Sequence, residues 1–225
     1  MERKDFLRQG GPCFYFDTEL FAPTTDSFAL GWFAAPKRGE RVCDLGSGTG
    51  LLGTLLLARE PSLTLFCVEQ NAAANALAEK GFAENGWAER VTLRTGDLRE
   101  NAALPAAGSM DYALSNPPSA AGEARQAARE EVGCTLADVC AAAARVLRWG
   151  GRFALVHRPE RLSDLFCTLR AHGLEPKRLR FVASSAENAP SLALVEARRG
   201  GKTGLSVEPM LFIGSADWDE VYFRT

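Results

Sequence analysis

The chain has 225 residues, 46% of them hydrophobic and 24% charged, with a formal charge of only −2, so it is large and apolar enough for one well-buried core, alone or with a small appendage. No apolar stretch is long enough to span a bilayer, and the opening Met1 to Phe6 lacks the apolar run of a secretion signal, so no membrane partner and a cytoplasmic location are expected. The six cysteines form no Cys-x-x-Cys pair, which argues against a zinc knuckle or redox motif and for buried, reduced thiols with no metal.

Residues 1–39 have no strong period but carry eight aromatic residues between Phe6 and Phe33, as expected of an amino-terminal cap packed beside a sheet. From residue 40 onward, short apolar runs alternate with helical patterns, the signature of an α/β protein whose mostly parallel sheet is covered on both faces. Seven strands are predicted, over 41–45, 63–69, 91–95, 110–115, 151–157, 177–184 and 191–197. A helix over 135–148 carries Leu136, Val139, Cys140, Ala143, Val146 and Leu147 at three- and four-residue steps, with Gly150-Gly151 as its stop. Another begins after Pro159 and ends at His172-Gly173. Residues 119–133, rich in alanine and charge, read as a mobile loop or a weakly held helix.

The first predicted strand runs into Asp44-Leu45-Gly46-Ser47-Gly48-Thr49-Gly50. A dinucleotide fingerprint is G-x-G-x-x-G, but here Leu51 stands where the third glycine would be. Glycines on this spacing permit positive φ and close backbone approach to a ligand, and the acid before them suits a cationic, phosphate-free one. In an open α/β sheet ligands sit at the carboxyl ends of the strands. Glu69, with Gln70 beside it, ends the second strand, where a carboxylate can accept both hydroxyls of a ribose. Asp97 follows the third and can accept from an adenine amino group, while Leu98 can pack on the ring.

The fourth strand runs into Asn116-Pro117-Pro118-Ser119. Two successive prolines donate no backbone hydrogen bond and stiffen the chain, exposing the Pro117 carbonyl beside the asparagine. The two oxygens form an acceptor pair for an amino group conjugated to a ring or carbonyl, a poor nucleophile whose lone pair they would orient. His157 and His172 make no catalytic pair; His157 reads as structural and His172 as a helix cap. Residues 144–202 contain twelve Lys or Arg against five Asp or Glu, an asymmetry that suits a polyanion or a set of solvated faces.

The glycine run resembles motif I of the class I S-adenosylmethionine (SAM) methyltransferases, and Asn-Pro-Pro resembles the hallmark of amino methyltransferases. Three stretches, His157 to Leu162, Leu174 to Val182 and Leu194 to Lys202, resemble the bacterial tRNA adenine N6-methyltransferases that modify valine tRNA, as do Thr25 to Leu30 and Cys134 to Val139. The resemblance implies a Rossmann-like, seven-stranded methyltransferase domain over 40–225 and SAM as donor, leaving S-adenosylhomocysteine. It implies cofactor contacts from Asp44, which would hold the methionine ammonium, and from Gly46, Ser47, Gly48, Gly50, Glu69, Gln70, Asp97, Leu98 and Asn116. Asn116, Pro117 and Pro118 become the catalytic residues, and tRNA the partner, its phosphates steered by the basic region. Ser119 stands where that family carries a stacking aromatic, and Asn116 to Cys134 is shorter than its counterpart. A protein glutamine amide, a small amine, or a non-catalytic SAM- or RNA-binding role therefore remain alternatives, and the oligomeric state stays open.

Overall fold

The structure, a computed structural model, describes residues 1–18, 20, 22–117 and 134–223. Pro118 and Ser119, the 119–133 segment and Phe21 lie outside the described residues.

The chain opens with a hairpin of two antiparallel strands, β1 (Glu2–Phe6) and β2 (Cys13–Asp17), followed by helix α1 (Thr25–Phe33). Then come β3 (Arg41–Leu45), α2 (Leu51–Arg59), β4 (Thr64–Glu69), α3 (Ala72–Glu84), β5 (Val91–Thr95) and β6 (Met110–Ser115). Beyond residue 133 lie α4 (Leu136–Val146), β7 (Leu147–His157), α5 (Leu162–Ala171), β8 (Leu174–Ala183), β9 (Leu192–Arg199), the two-residue strands β10 (Ser206–Val207) and β11 (Leu211–Phe212), and α6 (Ala216–Val221).

The seven predicted strands form one sheet in the order β8-β9-β7-β6-β3-β4-β5, with β9 antiparallel to both neighbours and the other pairings parallel. It is wider than expected, because β10 and β11 each pair with β8 and bring it to nine strands among the described residues. Side-chain alternation divides the core. Val42, Tyr112, Leu114, Val156 and Leu194 face α1, α2 and α6, whereas Cys43, Leu45, Ala113, Leu155 and Val195 face α4 and α5. The hairpin and α1 belong to the first of these layers, with Leu7, Phe14, Leu30 and Phe33 buried in the same cluster as Val42.

Local chemistry sets the helix ends. Thr135 and Asp138 cap α4 reciprocally, and Asn71 Oδ1 accepts the Ala73 and Ala74 N–H bonds at the start of α3. The α4 helix stops at Val146, earlier than predicted, and the chain passes directly into β7. Gly150-Gly151 therefore does not end the helix. It lies inside β7, where pairing with β6 shifts register between Leu147 and Arg152. Four cysteines are buried, Cys134 is half-buried, Cys167 is exposed, and all six are free thiols. Among the described residues no helix is long and apolar enough to cross a membrane.

Candidate active site

The sheet reverses its winding between β3 and β6, and the sequence motifs converge at the carboxyl ends of those strands and of β4. The turn after β3 is held to β4 by backbone bonds, with the Gly46 and Ser47 N–H groups donating to Val68 O at 2.9 and 3.0 Å. Gly46, Gly48 and Gly50 all have positive φ, at 76°, 53° and 78°. A Cβ on Gly50 would lie 2.9 Å from Ala78 Cβ and Phe82 Cε2 of α3, so this glycine serves helix packing. Among the described residues a Cβ on Gly46 would meet no atom within 4 Å, leaving space above the turn.

Glu69 is buried and works on the backbone. Its Oε2 accepts the Gly48 N–H at 2.9 Å and its Oε1 the Asn71 N–H at 2.8 Å. Each carboxylate oxygen can accept a further bond, so the residue shapes the turn and keeps capacity for a ligand's hydroxyls. Asp44 is fully buried, and among the described residues neither of its carboxylate oxygens has a hydrogen-bond partner; nor has Ser47 Oγ. Burial, and then the neighbouring Glu69 carboxylate, raises the Asp44 pKa from the usual 3.8 to about 7, while the Gly53 N–H opposes them without reaching hydrogen-bond geometry. An unsatisfied acid beside a second acid fits an ammonium-bearing nucleoside and disfavours a pyrophosphate.

Asp97 joins the same edge, since the Gly96 N–H donates to Glu69 O at 3.0 Å, but its carboxylate accepts both the backbone N–H and the guanidinium of Arg99. The Arg99 guanidinium holds the Asp97 carboxyl below the usual range. Leu98 packs against the α4 side of the core, and Gln70 is exposed.

On the acceptor side, Asn116 and Pro117 are partly buried. Continuing the β3–β6 register past Asp44 and Leu114 sets Asn116 level with Gly46. The Asn116 side-chain N–H donates to Ser27 Oγ of α1 at 2.9 Å, so the amide nitrogen is the atom that faces Ser27. Ser27 lies in the Thr25 to Leu30 stretch, but no spacing signal ties it to a residue 89 positions away. Asn75 is a second residue not foreseen; it donates to Thr95 Oγ1 at 2.9 Å and holds a buried Oδ1 without a partner among the described residues.

The histidines stay apart. His157 Nδ1 accepts the Arg158 N–H at 2.8 Å, and His172 Nε2 lies 3.1 Å from Ala137 O, so its ring bridges to α4 while its backbone N–H closes α5 on Leu169 O. Much of the basic surplus is occupied or distant. Arg178 and Arg152 lie 3.3 and 3.8 Å from the buried Glu196, and Arg148 and Arg198 flank the amino end of β7.

The model of the methyltransferase small domain matches residues 28–167. A tRNA1(Val) (adenine(37)-N6)-methyltransferase from Aeromonas hydrophila is 31% identical over 183 residues, covering 78% of this chain and 76% of the relative. Its counterpart from Cronobacter sakazakii is 32% identical over 176 residues, covering 75% and 70%. Among solved structures, a predicted O-methyltransferase from Agrobacterium tumefaciens superposes with a TM-score of 0.75 at 18% identity, covering 89% of this chain and 97% of that one. The geranyl diphosphate C-methyltransferase of Streptomyces coelicolor, solved with Mg2+, geranyl diphosphate and S-adenosylhomocysteine, gives 0.59 at 13% identity, covering 76% and 79%.

A sheet of this order, with an acidic, glycine-turned cleft at its reversal point, defines a SAM-dependent methyltransferase of class I. The chain belongs to the methyltransferase small-domain family and, by its similarity over three quarters of its length, to the group containing the bacterial tRNA1(Val) (adenine(37)-N6)-methyltransferases.

Proposed function

We propose that this protein methylates the N6 amino group of an adenine in tRNA. The observation that carries the reading is the acceptor pair at Asn116 and Pro117, beside the acidic cleft and with the Asn116 amide locked by Ser27. Residues 40–225 would form the methyltransferase domain and residues 1–39 its cap, working in the cytoplasm. The relatives' names support tRNA as the RNA.

In this reading Asp44 holds the methionine ammonium, Glu69 and Gln70 take the ribose, and Asp97 and Leu98 flank the adenine. Gly46, Ser47, Gly48 and Gly50 form the turn beneath, and Asn116 borders the donor. SAM supplies an electrophilic methyl group on a sulfonium. Asn116 Oδ1 and the Pro117 carbonyl accept the two N–H bonds of the target amine and aim its lone pair; Pro118, in Asn-Pro-Pro, keeps the segment stiff. Placement of this kind contributes on the order of several kcal/mol, and no strong base is needed because methylation leaves an acidic ammonium that loses its proton afterwards. An adenine in a folded loop must be splayed outward to enter, which favours single-stranded or loop targets.

Incubation with methyl-labelled SAM and unmodified valine tRNA, followed by digestion to nucleosides, tests this. The expected product is N6-methyladenosine. Label appearing only on a protein glutamine amide or a small amine, or SAM binding without transfer to any RNA, contradicts it.

A further inference from the structure

Part of the basic surplus, Arg148, Lys177, Arg198, Arg199 and Lys202, lies around a feature at the far end of the sheet from Asn116. The register shift in β7 throws Arg148 to Gly151 out of regular pairing, and Trp149 at its tip is 75% exposed. Its indole lies on the turn after β9, where a Cβ on Gly200 would come within 2.2 Å of the ring, so only glycine lets the ring seat there. Gly150 and Gly200 both have positive φ, at 78° and 65°. The Arg198 Nε–H donates to Gly150 O at 3.2 Å, and Arg199 donates to Leu147 O, tying the bulge to β9. The ring is thus braced on one side and open on the other.

Cations surround it. Arg148 and Arg198 flank the bulge, and the Lys177 ammonium donates to Lys202 O at 3.0 Å just beyond Gly201. Asp111 pairs with both Arg41 and Arg148, two cations against one acid, and Glu175 pairs with Arg170, so this end of the sheet keeps a positive surplus. An exposed indole braced on the backbone, with arginine and lysine on the neighbouring segments, matches the stacking platforms on which proteins hold unpaired bases, with phosphates taken by the nearby cations.

We infer that Trp149 is a stacking platform for a nucleobase of the RNA substrate, with Arg148 and Arg198 holding the adjoining phosphates. The inference rests on the RNA reading of the acceptor, and the charge of the surface selects RNA as occupant. Met110, paired with Leu147 at this end, begins the strand that leads into Asn116 six residues later, which separates platform and acceptor pair by roughly 20 Å. A lone nucleoside cannot reach both, whereas a folded RNA can, so the platform would select for large substrates.

The test measures binding of unmodified valine tRNA by fluorescence anisotropy without SAM. Trp149→Ala is expected to weaken binding about 5- to 30-fold, and Trp149→Phe, which keeps a stacking face, to stay within about 3-fold of wild type. The double variant Arg148→Gln/Arg198→Gln should flatten the slope of log affinity against log salt by about 1.5. SAM affinity, measured by calorimetry, should match wild type in every variant. Wild-type RNA affinity in Trp149→Ala overturns the proposal, as does a loss of SAM affinity in parallel. So does sedimentation showing the indole buried between two copies of the chain, lost on substitution. Methyl transfer by the same wild-type preparation is scored separately: transfer to adenine with no effect of Trp149→Ala sinks the platform alone, and absence of transfer sinks the RNA reading itself.

Discussion

Ser27 of α1 accepts a hydrogen bond from the side-chain nitrogen of Asn116 at 2.9 Å, joining the amino-terminal segment to the end of β6. The bond specifies which atom of the amide faces α1, leaving the oxygen as the one directed elsewhere. Ser27 is itself held, since its N–H donates to Thr24 O at 3.1 Å at the start of the helix. The amino-terminal segment therefore constrains the rotamer of the residue proposed to carry the acceptor chemistry.

Ser27→Ala removes that bond without disturbing the core, and one such bond contributes about 0.5–1.5 kcal/mol. The expected result is a fall of about 3- to 10-fold in the single-turnover methylation rate with SAM affinity unchanged, and recovery in Ser27→Thr. A fall in SAM affinity that matches the fall in rate would show that Ser27 acts on the donor side instead.

Asp44 predicts a pH dependence. Its pKa is about 7 in the folded protein and near 3.8 when unfolded, so between those values the folded state binds the extra proton, and stability without cofactor falls as pH rises from about 4 to 7. Binding of a cationic cofactor needs the ionised form, so affinity moves the opposite way. Because the cofactor's own α-ammonium titrates at about pH 8, affinity should peak at about pH 7.5 and be about 5-fold weaker at pH 6, and Asp44→Asn should lose both the affinity and its slope on the acid side. Calorimetry across that range checks it, and a flat profile in the wild type counts against Asp44 as the ammonium partner.

Gly50 and Gly46 share positive φ but differ in surroundings. Gly50→Ala forces a methyl group into Ala78 and Phe82 as well as straining the backbone, whereas Gly46→Ala meets only the strain. Gly50→Ala is expected to lower stability by about 2–3 kcal/mol, a Tm decrease of roughly 5–10 °C. Gly46→Ala should cost about 1 kcal/mol yet weaken SAM binding more than that loss explains. Equal Tm shifts for the two would contradict the packing argument.

Tyr112 makes a stability prediction with no cost to cofactor binding. Its hydroxyl donates to the buried Glu196 at 2.6 Å and accepts the Ala35 N–H at 3.2 Å, tying the end of α1 to the middle of the sheet. Tyr112→Phe leaves both partners short of a bond, at a cost of about 1–3 kcal/mol. Thermal unfolding should show the loss while SAM affinity holds; a matching loss of affinity would place this network in the site.

Much of the fold was legible because Val42 and Cys43, like Leu114 and Ala113, send neighbouring side chains into opposite layers, so both strand positions are apolar and the runs stand out. The hairpin was not, because β1 is exposed along its whole length and has no alternation to betray it. The two-residue strands β10 and β11 are too short to carry a period, and the end of α4 was misplaced because Leu147 continues the apolar stripe while serving β7. The glycine turn and the strand-end acids could be found by spacing. The Ser27–Asn116 bond and the seating of Trp149 on Gly200 are contacts between distant segments, created only when the sheet assembles.

The most direct test of the account is the single-turnover methylation rate of Asn116→Ala on unmodified valine tRNA, with SAM affinity measured on the same protein. The account predicts a rate at least about 100-fold below wild type, as expected when a positioning group at the reacting atoms is removed, with SAM affinity within about 3-fold. A rate near wild type would contradict it, because the target amine would then be held by something other than the Asn116–Pro117 pair.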